Sequence, residues 1–335
     1  RGERMNLKTT FDGLVLDNPL MPASGPLVGD TEKLCFMRNA GCGAVVTKTI
    51  STKMPHIPKP CIYGDKQYVM NSELWSEHSK ETWIEEFLPD YMLVKDRPLI
   101  ISIGYSKEDM EVLVPLLDPF ADAYEISTHY VGTDLSVIAD TVKAIRKHTK
   151  KPFYMKISPH IPNPAEFARI IKENGANGIV AINSLGPTMK IDIESRSILY
   201  GNESGFVWTS GPVIKNLALA TVYAIKKAEP SLTVIGVGGI QSADDIIEFL
   251  LAGASAVQML SAALIKGKQL YEKILKDLPG RLEAYGFNSV EEVIETTLKN
   301  NVKYQASVPT LIEDKCIKCN ICVNVCPYFA IEMKD

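Results

Sequence analysis

Thr233-Val-Ile-Gly-Val-Gly-Gly-Ile-Gln-Ser-Ala-Asp-Asp-Ile-Ile-Glu-Phe-Leu-Leu-Ala-Gly-Ala-Ser-Ala-Val-Gln-Met-Leu260 decides the fold. It reads as a short apolar strand, a glycine turn, an amphipathic helix, a Gly-Ala turn and a second apolar strand. Both apolar runs are too short for a helix, and the middle segment has helical periodicity. The same unit recurs outward along the chain. Strands are expected at Leu20–Pro22, Ala44–Thr49, Leu99–Ile103, Ala123–Ser127, Phe153–Ile157, Gly178–Asn183, Thr233–Val237 and Ala256–Leu260. Helices are expected at Asp30–Asn39, Asp134–His148, Pro164–Asn174, Pro212–Ala228 and Ala243–Ala252. Gly41, Gly175 and Gly253 close helices ahead of strands. Strands alternating with helices over about 250 residues give an α/β fold, a (β/α)8 barrel. Residues 184–211 lack periodicity and are expected to decorate the active-site face. Lys266–Asn301 reads as helix closing the barrel, which is assigned to residues 5–305. Arg1–Arg4 are left out of the fold reading.

Chemistry in such a barrel sits at the C-terminal ends of the strands. Those ends are polar here: Ala23-Ser24-Gly25, Thr47-Lys48-Thr49, Lys156, Asn183-Ser184, Gly238-Gly239 and Ser261. Gly236-Val-Gly238-Gly239 with Leu260-Ser261 offers free backbone N–H groups for a phosphate. Gln241 stands where a dinucleotide fingerprint needs its third glycine, which argues against a nicotinamide cofactor. Beyond the barrel, Cys316, Cys319, Cys322 and Cys326-Pro327 have the bacterial ferredoxin spacing for a [4Fe–4S] cluster. Zinc also takes four thiolates, but usually from two separated pairs. Residues 306–335 are therefore read as a half-ferredoxin iron–sulfur module. Thr310–Asp314 and Ala330–Met333 are its expected strands.

Composition narrows the setting. The formal charge is −4 over 335 residues, which gives no reason to expect a nucleic-acid partner. No apolar run reaches membrane-spanning length and no signal peptide is read, so no membrane partner is expected. Of seven cysteines, four fall in the cluster run, which points to a reducing cytoplasm. Cys35, Cys42 and Cys61 read as structural thiols.

Several segments together resemble the dihydroorotate dehydrogenase family. They are Thr9-Thr10-Phe11-Asp12-Gly13-Leu14, Asn18-Pro19-Leu20-Met21-Pro22-Ala23-Ser24-Gly25, Ala40-Gly41-Cys42-Gly43-Ala44-Val45-Val46-Thr47-Lys48-Thr49, Ser210-Gly211-Pro212-Val213-Ile214-Lys215, Gly236–Ile240 and Gly253–Gln258. A family barrel followed by a ferredoxin module is similar to bacterial dihydropyrimidine dehydrogenase. The resemblance implies FMN. It implies that Ala23 and Ser24 line the flavin, and that Lys48 lies beside ring and substrate. Lys156 would face the N1/O2 edge. Ser210, Gly211, Gly238, Gly239, Leu260 and Ser261 would hold the phosphate. Asn71, Ser127, Asn183 and Ser184 would face substrate.

The chain departs from the family after the fourth strand. An Asn-x-Ser-Cys-Pro-Asn segment is replaced by Ser127-Thr128-His129-Tyr130-Val131-Gly132. The cysteine position becomes Tyr130, or His129 after a slip of one residue, and the two asparagines become Ser127 and Gly132. A phenol with a pKa near 10 is a better donor than base at neutral pH, which favours reduction. The expected function is an FMN- and iron–sulfur-dependent oxidoreductase that reduces a C=C bond in a small cyclic or conjugated carbonyl compound. Two alternatives stand beside it: a dihydropyrimidine or dihydroorotate dehydrogenase with a divergent loop, and an electron-transfer subunit without an organic substrate. The expected electron partner is a ferredoxin or a flavoprotein reductase. A homodimer is expected because Cys326 of a half-module has no second cluster in its own chain; the alternatives are that one of Cys35, Cys42 and Cys61 is the missing ligand, or that all four cysteines of the run hold one cluster.

Overall fold

A computed structural model describes residues 5–300, 302 and 308–333. It divides into two compact units, Arg1–Leu298 and Lys299–Asp335. The first begins with a hairpin, β1 (Thr9–Phe11) and β2 (Leu14–Leu16), turned at Asp12-Gly13. Both turn residues have positive φ, 48° and 81°, the geometry whose twist matches the flanking strands.

Eight parallel strands follow with helices between them: β3 (Leu20–Pro22), β4 (Val45–Val46), β7 (Leu99–Ile103), β8 (Ala123–Ser127), β9 (Phe153–Ile157), β10 (Gly178–Ala181), β15 (Thr233–Val237) and β16 (Ala256–Met259). The sheet runs in the order β3-β16-β15-β10-β9-β8-β7-β4. Gly43 N–H donates to Leu20 O (2.8 Å) and brings its two edges together into a barrel. The barrel has two cores. Phe11, Leu16, Met21, Val46, Ile100, Tyr154, Val180 and Ile235 fill the interior, with the β1–β2 hairpin capping the end where strands begin. Tyr154 packs edge-on against Phe11 and donates its hydroxyl to Asp12 (3.1 Å). The second core lies between the strands and the surrounding helices.

The eight expected barrel strands are present, and most of their expected limits hold. In the segment expected at Ala44–Thr49 the strand ends at Val46, because Lys48 N–H leaves the ladder for Val28 O (2.9 Å). Pairing with β7 resumes at Ile50. This break works as a bulge does, turning one side chain out of the sheet plane. Residues 266–301 are not one helix. Helices at Leu270–Ala284 and Val290–Glu295 are separated where Gly286 takes φ 80° and Ser289 caps the next helix.

One feature escaped the sequence. β5 (Ile62–Gly64), β6 (Val69–Asn71), β11 (Leu185–Thr188) and β14 (Val207–Ser210) form an antiparallel sheet in the order β11-β14-β6-β5. A hairpin, β12 (Ile191–Asp192) and β13 (Ser197–Ile198), rises between β11 and β14. Among the described residues no helix is long and apolar enough to cross a membrane.

Candidate functional site

A cleft opens at the C-terminal ends of the barrel strands. It encloses about 1190 Å³ with its mouth included. Strand ends contribute Ala23, Lys48, Ser127, Lys156, Asn183, Gly238 and Leu260, and the antiparallel sheet contributes Asn71, Trp208 and Ser210. Of the residues singled out in the sequence, Ala23, Ser24, Lys48, Asn71, Ser127, His129, Lys156, Asn183, Ser184, Ser210, Gly211, Gly238, Gly239, Leu260 and Ser261 all line it.

Tyr130 does not. His129 has φ 49°, so the chain turns there and the next side chain leaves the cleft. The Tyr130 hydroxyl donates to Asp134 O instead, and its ring lies over Gly132, where a Cβ would collide with it. His129 takes the inward position, with its ring edge-on to Trp75 at 4.8 Å. Trp75 is itself stacked on Tyr105 (5.7 Å). The His129 ring stays open to the cleft but is hemmed by protein. That desolvation first, and the Lys156 ammonium second, push its pKa down to about 4.

The floor holds a buried polar network. Lys156 Nζ donates to Glu125 Oε1 (3.1 Å), and Gln258 Nε2 donates to Glu125 Oε2 (2.6 Å). Glu125 points inward from β8, next to Lys156 on β9, so burial of either charge is answered by the other. Gln258 Oε1 is buried with no hydrogen-bond partner among the described residues. Ser24, Thr49 and Ser102 form a hydroxyl chain with 2.9 Å links.

Sequence reasoning missed Glu73. It lines the cleft and accepts from Lys48 Nζ at 3.1 Å, with both side chains nearly buried. Trp75 and Trp208 were missed as well. All three sit in connections without periodicity, where spacing carries no signal.

The family model for dihydroorotate dehydrogenase matches residues 6–282, and that for a 4Fe-4S binding domain matches residues 309–332. The chain is similar to the proteins named dihydroorotate dehydrogenase B (NAD(+)), catalytic subunit, of several organisms. That of Pyrococcus horikoshii is 32% identical over 305 residues, covering 88% of this chain and 98% of the relative. That of Thermoplasma volcanium is 33% identical over 310 residues, with 88% and 99% covered. The chain belongs to the dihydroorotate dehydrogenase family.

A member of this family is a flavin-dependent oxidoreductase acting on a CH–CH group, and FMN is its flavin. The cleft fits it. Gly211, Gly238 and Gly239 take φ values of 99°, 128° and 81°, which L side chains rarely adopt, and let backbone approach a phosphate closely. A Cβ on Gly239 would lie 2.7 Å from Lys215 Cβ. Ser210 and Ser261 hydroxyls share a 2.7 Å hydrogen bond at the same end. Gln258 Oε1 is an acceptor that an N–H of a heterocycle can satisfy.

A second cofactor, a [4Fe–4S] cluster, belongs to the C-terminal unit, where the 4Fe-4S binding domain matches. Its donor set fits: Cys316, Cys319 and Cys322 are exposed and Cys326 is half-buried around the short helix Ile321–Val325. Backbone N–H groups of Ala330 and Tyr328 hold the Cys326 thiol below its ordinary pKa, the direction that favours a thiolate ligand. The expected strands at Thr310–Asp314 and Ala330–Met333 are absent. Residues 313–315 form a 3-10 turn, and neither segment has a ladder partner among the described residues. Cys42 and Cys61 are buried and Cys35 is half-buried; burial pushes the Cys42 thiol up to about 12. None of the three lines the cleft.

Proposed function

We propose that this chain interconverts CH–CH and C=C in a small cyclic or conjugated carbonyl compound, using FMN and a [4Fe–4S] cluster, with His129 as the proton-transfer group. The observation that carries it is the gathering of His129, Lys48, Asn71 and Asn183 in one cleft beside a phosphate-type loop. The flavin supplies hydride transfer at N5, and the protein's own residues do the rest. Asn71 and Asn183 orient a carbonyl ring. Lys156, held by Glu125, would put positive charge beside the N1/O2 edge of a bound flavin. Trp75 fixes the His129 ring. With a pKa near 4, His129 is neutral at pH 7 and accepts a proton rather than donating one. That favours removing hydrogen from a CH–CH pair. The reductive direction expected from Tyr130 loses its donor, because that phenol is turned away.

A second reading is a dihydroorotate dehydrogenase in the strict sense, favoured by the names of the relatives. Their matches leave about an eighth of this chain outside, and the 4Fe-4S segment lies past the end of the barrel match. Residues 306–335 thus give this chain its own one-electron outlet towards a ferredoxin or a flavoprotein reductase. A pure electron relay has no use for Asn71, Asn183 and His129 around one cavity. The functional division is a barrel over 5–305 and a module over 306–335, in a homodimer that completes the half-module. The test is an anaerobic half-reaction followed at the flavin band. Bleaching by a dihydropyrimidine or a saturated cyclic ketone, lost in His129→Gln, supports the reading. A flavin that no organic compound reduces or reoxidises returns the chain to the relay class.

A further inference from the structure

We infer that Glu73 sets the substrate class: the compound bound beside Lys48 is uncharged, a cyclic amide or related carbonyl compound, and not a carboxylate. The inference rests on the cleft being the redox substrate site, and goes beyond it by fixing the charge of what enters.

The cleft's ionisable lining among the described residues is Lys48, Glu73, His129 and Lys156. Each cation is already answered. Lys48 Nζ lies 3.1 Å from Glu73 Oε1, with side chains 7% and 11% exposed, and neither has another side-chain partner among the described residues. Lys156 is answered by Glu125, whose carboxylate is fully buried. His129, with its pKa lowered to about 4 by desolvation and then Lys156, carries no charge at pH 7. The next pair outward, Lys59 and Glu77, is closed on itself at 2.9 Å. FMN brings a phosphate dianion and so adds no positive charge. A substrate carboxylate would meet no uncompensated cation, and would have to displace Glu73 from Lys48 or lie beside it. Like charges a few ångströms apart at low effective dielectric are strongly unfavourable.

The neutral donors and acceptors are matched to an uncharged ring. Asn183 Oδ1 is taken by Ser184 N–H (2.8 Å), which leaves its NH2 as a donor. Asn71 NH2 leans on Trp208 O (3.4 Å), which leaves Oδ1 as an acceptor. One donor at a barrel strand end and one acceptor on the antiparallel sheet, both lining the cleft, suit the C=O and N–H of a lactam or imide.

The experiment uses holoenzyme of the full chain under anaerobic conditions, with ligand binding read as perturbation of the oxidised flavin spectrum. Probes are pairs differing by a carboxylate: uracil against orotate, and 2-cyclohexenone against 1-cyclohexene-1-carboxylate. In the unaltered protein the neutral member should bind at least tenfold more tightly. Glu73→Gln keeps the side chain's size and frees Lys48; it should tighten the carboxylates about tenfold or more, equivalent to about 1.4 kcal/mol, and leave the neutral probes nearly unchanged. Glu73→Asp, which keeps the charge, should keep the neutral preference. FMN content of each variant checks folding. Carboxylates binding as well as neutral probes in the unaltered protein, or a ratio unmoved by Glu73→Gln, overturns the inference and leaves the substrate site standing. No spectral response to any probe in any of these proteins overturns the substrate-site reading, and this inference falls with it.

Discussion

At position 129 one backbone angle, φ 49°, decides which of two adjacent side chains reaches the cleft. Tyr130→Phe removes a hydroxyl that serves the loop, so it should cost about 0.5–1.5 kcal/mol of stability and change the flavin half-reaction by no more than about threefold. Stopped-flow reduction and urea unfolding on the same sample measure both. His129→Gln should lower the half-reaction rate by about 10²–10⁴. The pH profile carries a sign. Because desolvation by the surrounding protein and then Lys156 lower the His129 pKa to about 4, the active neutral form persists well below the ordinary imidazole range. The acid limb of kcat/KM should therefore fall near pH 4, not near 6.5. The unfolded chain takes up a proton at higher pH than the folded one, so the histidine's contribution to stability is complete above about pH 6.5 and fades as pH drops from there towards 4. Lys48, Lys156 and Asn183 were legible because each ends an apolar strand, where a polar residue is out of pattern. The turn at His129 was not legible, since spacing along the chain cannot register a positive φ on a non-glycine residue.

Elements hold the site through their caps and turns. Ser106 and Asp109 form a reciprocal capping box on the helix Lys107–Leu117, and Asp109 also receives the Thr52 hydroxyl and Tyr105 N–H (3.2 Å). One carboxylate thus ties the loop after β4 to the loop after β7. Burial alone would raise its pKa, but the hydrogen bonds from Thr52, Ser106 and Tyr105 outweigh that and lower it. Its stabilisation is present above the ordinary aspartate range and is lost as pH falls through the depressed value. Asp109→Ala should destabilise the barrel by about 2 kcal/mol, visible as a lower urea midpoint with an unchanged slope. Most barrel strands and their helices were legible, since each is a run of apolar residues followed by an amphipathic stretch. Ile62–Gly64 and Leu185–Thr188 were not, because Gly64, Gly186 and Pro187 interrupt any apolar run that would mark a strand.

For the whole molecule, the two cofactors should be separable in stability as they are in sequence. Anaerobic protein should contain one FMN and about four irons per chain. Chelating the iron should leave the barrel's melting transition in place, while excess FMN should raise it by mass action. Differential scanning calorimetry with iron analysis distinguishes the two. The repeat of strand and helix made the barrel legible along its length, and the cysteine spacing marked the module. The antiparallel sheet beside the cleft was illegible because its strands come from two insertions more than a hundred residues apart, one around residues 62–71 and one around 185–210. That same pairing makes the two insertions a single cassette. Asn71 faces Trp208 across the β6–β14 ladder, so neither loop has a finished edge without the other. Grafting either insertion alone onto a relative's barrel should give an open, aggregation-prone sheet. A transplanted substrate preference would have to travel as both loops together, which ties the diversification of this enzyme's chemistry to paired change at two distant places in its gene.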